Sequence, residues 1–172
     1  MKKVLIPVMA LLVLFAVTSV MAAPATKIPF TGEASFGFGN VSPGEDWTTE
    51  DGIYHLKGAV SEGTTDIHSA YGDISGALMV RHDLVLDTNT GLGACHGKIV
   101  ITVVVDTVVL GTFEGSEHGA HTITDHHYIS GTLVAKGTGM FEGLKMMGSY
   151  EGELIDGTVV MDMKGTLLSP TG

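Results

Sequence analysis

Gly76-Ala77-Leu78-Met79-Val80-Arg81-His82-Asp83-Leu84-Val85-Leu86-Asp87 alternates with period two: Leu78, Val80, His82, Leu84 and Leu86 fall on one face, and Ala77, Met79, Arg81, Asp83, Val85 and Asp87 on the other. Successive strand side chains point to opposite sides of a sheet, so the stretch reads as a strand with one buried and one wet face. The buried face carries a histidine.

The same period recurs along the chain. Leu144, Met146, Gly148, Tyr150, Gly152 and Leu154 oppose Lys145, Met147, Ser149, Glu151 and Glu153, and Val159, Met161, Met163, Gly165 and Leu167 oppose Asp162, Lys164 and Thr166. Asp156-Gly157 between these two runs is a hairpin turn signal. Shorter runs place Tyr54, Leu56, Gly58 and Val60 on one face, and His127, Ile129, Leu133 and Ala135 on another. Residues 98–114 carry Ile99, Ile101, Val103, Val105, Val109 and Phe113 on one side, and as a single straight strand they would extend roughly 55 Å. A bend or tight turn is therefore expected near Asp106-Thr107.

Met1-Lys2-Lys3 followed by an uncharged run from Val4 to Val20 has the basic and apolar regions of a secretory signal. Small residues favour cleavage after Ala22, giving a signal peptide over residues 1–22 and one domain over 23–172; an uncleaved anchor is the alternative, although the run is short for a span and contains Pro7. The expected location is secreted or periplasmic, with membrane contact only through an uncleaved signal.

The 172-residue chain has a formal charge of −10, which export would make more negative by removing Lys2 and Lys3. Nucleic acid and anionic membrane surfaces are thus excluded as expected partners. Cys95 is the only cysteine, so no intrachain disulfide can staple the domain. Packing and a fully paired backbone must hold it. Alternating strands, 24 glycines and no helical period point to an all-β antiparallel meander closing into a small barrel of about eight strands, because closure removes exposed edges. A two-sheet sandwich is the alternative.

The stretch Gly137-Thr138-Gly139-Met140-Phe141-Glu142-Gly143-Leu144-Lys145-Met146-Met147-Gly148-Ser149-Tyr150-Glu151-Gly152 resembles the glycine and aromatic passages of the allene oxide cyclase and dirigent barrel superfamily. The resemblance covers the C-terminal third and implies an eight-stranded barrel with a central cavity. It also implies cofactor-free steering of a reactive small molecule, but no catalytic position of that group maps onto this chain.

Two sets of residues could carry chemistry. His82, His127 and Tyr150 are expected to face an interior lined by aliphatics, as ligand contacts in a pocket for a small apolar molecule; a hydrogen-bonded core histidine is the competing reading of His82. Four of the eight histidines crowd residues 117–127, where a loop could fold His118, His121 and one of Asp125, His126 or Glu117 around a transition metal. A plain polar hairpin there is the preferred reading, and no cofactor is required. The acidic segment 44–52 holds the only tryptophan, expected to cover one end of the barrel. No nucleophile elbow, phosphate loop or zinc-protease helix is present. The leading expectation is an exported barrel that binds a small apolar molecule inside; a cofactor-free cyclase or dirigent-like guide, and an envelope protein that captures a metal, are the alternatives.

Overall fold

The computed structural model describes residues 25–169, and the expected signal segment lies outside them. Nine strands follow in order: β1 (Thr26–Gly37), β2 (Glu45–Thr48), β3 (Ile53–Ser69), β4 (Ile74–Asp87), β5 (Leu92–Val105), β6 (Val108–Ile123), β7 (His127–Gly137), β8 (Lys145–Ile155) and β9 (Thr158–Ser169). A single 3-10 turn, Gly139–Phe141, separates β7 from β8. The hydrogen-bonded order is β1-β9-β8-β7-β6-β5-β4-β3-β2, and β1 also pairs antiparallel with β3. That second pairing closes an eight-stranded antiparallel barrel and leaves β2 as an outer strand.

The closing strand is shared. β1 pairs with residues 63–69 of β3, while β2 pairs with residues 54–57. Between these two stretches the β3–β4 register shifts from Leu56 to Ala59, a bulge in which Gly58 adopts φ 70° and donates its N–H to Asp83 Oδ1 at 2.6 Å. An extra residue reverses the parity of everything beyond it. Ala59, Ser61, Thr65 and Ile67 therefore face in, and Val60 does not share the inward face of Leu56 as simple alternation had it.

The other alternating runs hold, except that Val105 and Val109, expected on the face of Ile99, Ile101, Val103 and Phe113, are exposed beside the β5–β6 turn, where the register shifts at Val103/Val104. Leu78, Val80, His82, Leu84 and Leu86 are all buried on β4, as are Met146 and Tyr150 on β8, Val159, Met161, Met163 and Leu167 on β9, and Ile129, Leu133 and Ala135 on β7. Asp106 and Thr107 form the expected tight turn, with φ 47° and 72°, and Asp156 and Gly157 the other, with φ 50° and 81°. Both central residues at positive φ match the right-handed twist of the strands they join.

Three segments depart from expectation. β1 shows Phe30, Ala34 and Phe36 buried on one face, an alternation that the sequence also contains but that Gly and Pro interrupt. Trp47 does not cap the barrel; it lies on β2, about half exposed, stacked on His55 with ring centroids 4.9 Å apart. The histidine-rich segment is mostly strand, because β6 continues to Ile123 and only residues 124–126 separate it from β7.

Inside the barrel lie two apolar clusters. The larger joins Phe30, Ile67, Ile101, Phe113, Met146 and Leu167 with their neighbours; the smaller joins Leu56, Ala59, Leu84, Leu86 and Cys95, and Phe38 packs against both. The buried ionisable groups of β4 and β6 are His82, Glu117 and His121.

Candidate functional site

Strand alternation carries β6 inward at Phe113, Glu117 and His121, every fourth residue on one face. Cross-strand register then sets their neighbours. His82 on β4 lies opposite Gly97 on β5, and Gly97 lies opposite Glu117 on β6, so a histidine and a glutamate flank a position that has no side chain. A Cβ built on Gly97 would stand 2.8 Å from Glu117 Oε1 and 3.0 Å from the His82 Cα. It would also meet the Arg81 carbonyl oxygen at 2.3 Å, so only a glycine fits beneath the Glu117 carboxylate.

Glu117 is 6 % exposed, a carboxylate inside the barrel. The Tyr150 hydroxyl donates to its Oε2 at 2.5 Å, and the Cys95 thiol lies 3.8 Å from the same oxygen. Tyr150 reaches it through a niche between Gly119 and Gly131, which pair in register on β6 and β7; a Cβ on either would come within 2.4 Å of the hydroxyl. Burial first, and then the Glu117 charge, push the Cys95 thiol up to about 12 and raise the Tyr150 phenol well above its ordinary value. Both groups stay protonated and serve as donors, and Cys95 is unsuited to act as a nucleophile.

The histidines form a second line. His121 Nδ1 and His127 Nε2 are 2.7 Å apart, with His127 half-buried at the start of β7. Burial, then the neighbouring His127 and His82, lower His121 to about 4, and burial lowers His82 and His127 in the same direction. His82 packs its ring 4.7 Å from Phe38, is 6 % exposed, and no protein group pairs with its buried Nε2. The competing reading, a core histidine hydrogen-bonded by the protein, finds no protein partner at that atom.

These side chains meet at one internal cavity of about 40 Å³. His82, Cys95, Glu117, His121 and Tyr150 supply its polar lining, and Phe36, Phe38, Val80, Leu133 and Met163 are among its apolar walls. Of the residues singled out from sequence, His82 and Tyr150 line it directly, and His127 joins it through His121. His118, on the opposite face of β6, is exposed and stacks on His96 at 6.4 Å, whereas His126 is exposed and lies 3.8 Å from Glu153. His118, His121, Asp125 and His126 are thus not brought to one point. Among the described residues no group of three or more His, Cys, Asp or Glu side chains is arranged to hold a metal ion.

Sequence reading passed over Glu117 as an interior residue and left Cys95 without a partner. Continuing the inward alternation from Phe113 in steps of two residues finds, at the second and fourth steps, Glu117 and His121. The density of polar residues hid that period. No family model matches the chain, and neither a characterised protein nor a solved structure gives a match.

Proposed function

We propose that this is an exported barrel protein that binds a small, largely apolar molecule in its interior, against His82, Glu117, His121 and Tyr150. The observation that carries the reading is the His82 Nε2 atom, buried beside a cavity without a protein partner. An unmade buried hydrogen bond costs about 1–3 kcal/mol. A ligand that supplies the missing partner recovers that cost. Apolar walls with a few convergent polar groups are the usual make-up of a small-molecule site. One water needs roughly 10–15 Å³ measured this way, so a cavity of about 40 Å³ suits a ligand, or the buried end of one, of a few heavy atoms. The charge-free run behind Lys2 and Lys3 supports export.

Native mass spectrometry of the mature protein from its own host, compared with the denatured mass, tests this. An organic adduct that is released on denaturation and absent from His82→Leu is the expected result; a bare native mass together with no perturbation of interior methyl signals by small organic probes overturns it. A second reading, a cofactor-free cyclase or dirigent-like guide, draws support from the carboxylate and the unpaired imidazole that line the same cavity and could move a proton. Turnover of the captured molecule, rather than its retention, separates the two.

A further inference from the structure

Resting on the interior-binding reading, we propose that the ligand carries a protonated amine, seated against Glu117 and His82 where both line the internal cavity, with its apolar part along the cavity wall. Three observations converge on that chemistry. Glu117 is a buried carboxylate, and no lysine or arginine is buried among the described residues, so the barrel itself offers no formal cation beside it. A buried charge without a counter-charge is costly, and a cationic ligand supplies one. His82 Nε2, 94 % of its residue buried by the 6 % exposure, is unpaired. With the proton on Nδ1 that nitrogen presents a lone pair.

The third observation is the spacing. His82, Gly97 and Glu117 occupy one inward row on three successive strands. Tyr150 and Cys95 both address Glu117 Oε2, and Oε1 is the oxygen that lies over Gly97, 2.8 Å from where a Cβ would stand. Glu117 Oε1 is an acceptor, and so is His82 Nε2 when its proton is on Nδ1. An ammonium is a compact cation with three donors and no acceptor, and its bonds to a carboxylate are charge-assisted. An alcohol offers a single donor and leaves the charge unmatched. A carboxylate ligand sets a second negative charge against Glu117 in a low-dielectric interior. Both His82 and His121 are held below the ordinary imidazole value by burial, so at neutral pH neither competes with the ligand as a cation.

The experiment titrates the full mature protein at neutral pH with n-propylamine, n-propanol and propionate, followed by calorimetry and by the methyl signals of Val80, Ile99 and Leu133. Propylamine is expected to bind at least about tenfold more tightly than propanol, a difference of about 1.4 kcal/mol, and propionate more weakly than either. Glu117→Gln keeps an amide oxygen as acceptor for Tyr150; it should lower propylamine affinity by about tenfold and leave propanol within about twofold. Propanol binding as tightly as propylamine, or propylamine indifferent to Glu117→Gln, overturns the amine while interior binding stands. If none of the three probes moves the interior methyls, the interior-binding reading falls with it. The comparison of probes on the unaltered protein decides the question even if Glu117→Gln fails to fold.

Discussion

The Tyr150 hydroxyl donates to Glu117 Oε2 at 2.5 Å, joining residues 33 positions apart from β8 across β7 to β6 along the inner wall of the barrel. The contact exists because Gly119 and Gly131 leave the hydroxyl room between two strands. Tyr150→Phe leaves the carboxylate with only the weak Cys95 donor, and should destabilise the fold by about 1.5–3 kcal/mol. Gly131→Ala drives a methyl into the phenol and should cost about 1–3 kcal/mol. Urea midpoints at unchanged slope measure both.

His82→Leu should behave differently from an ordinary core substitution. It removes an unpaired buried polar atom and leaves an apolar side chain among Phe38 and Val80, so stability should hold or rise by about 1 kcal/mol. Thermal melts of the ligand-free protein check this. A drop of several kcal/mol would show that the imidazole is structural.

Stability should fall with acid through the histidines. His121 titrates near 4 in the fold against 6.5 ordinarily, so between those values the unfolded chain binds more protons than the folded one. The contribution is complete above pH 6.5 and is lost as pH falls towards 4; His82 and His127 act in the same sense. On the order of 3 kcal/mol rides on His121 alone. His121→Gln should flatten the decline of unfolding free energy measured between neutral and mildly acid pH.

Cys95 should be inert in the native state. Its thiol is buried and displaced to about 12, so iodoacetamide at pH 8 should label it only as fast as the barrel opens. Labelling rates that fail to rise steeply with added urea would contradict the burial.

Thr107 is a β-branched residue at φ 72°, in the second position of the hairpin turn between β5 and β6. That conformation costs a non-glycine residue about 1–2 kcal/mol. Thr107→Gly should therefore raise the melting temperature, despite the flexibility it adds to the unfolded chain, whereas Gly157→Thr at the matching position of the β8–β9 turn should lower it.

Much of the barrel was readable because strands expose their period locally. Leu78 to Leu86, Met146 to Tyr150 and Val159 to Leu167 each declare an inward face from side-chain polarity alone, and Asp156-Gly157 declares a turn. The bulge at Gly58 was not readable in the same way, since its effect is a change of parity and the residues just beyond it, with small Ala59 and Ser61 facing in and Val60 facing the other way, carry no apolar-in, polar-out contrast. β1 escaped for a related reason: Pro29 and Gly32 break its pattern, yet Pro29 pairs only towards β9, just beyond where β3 joins.

Alternation by itself determined that the chain is all-β, where most strands face in, and that His82 and Tyr150 belong to the interior. Only the tertiary structure decided that the sheet closes through β1 and β3, and that Glu117 is an interior residue. Cross-strand register, too, set His82, Gly97 and Glu117 in one row. The physical reason is that period two is a property of one strand, whereas register and closure are properties of pairs of strands far apart in sequence. A polar residue's own chemistry argues for the surface until its partner, here Tyr150 from a strand 33 residues away, is in place to hold it inside.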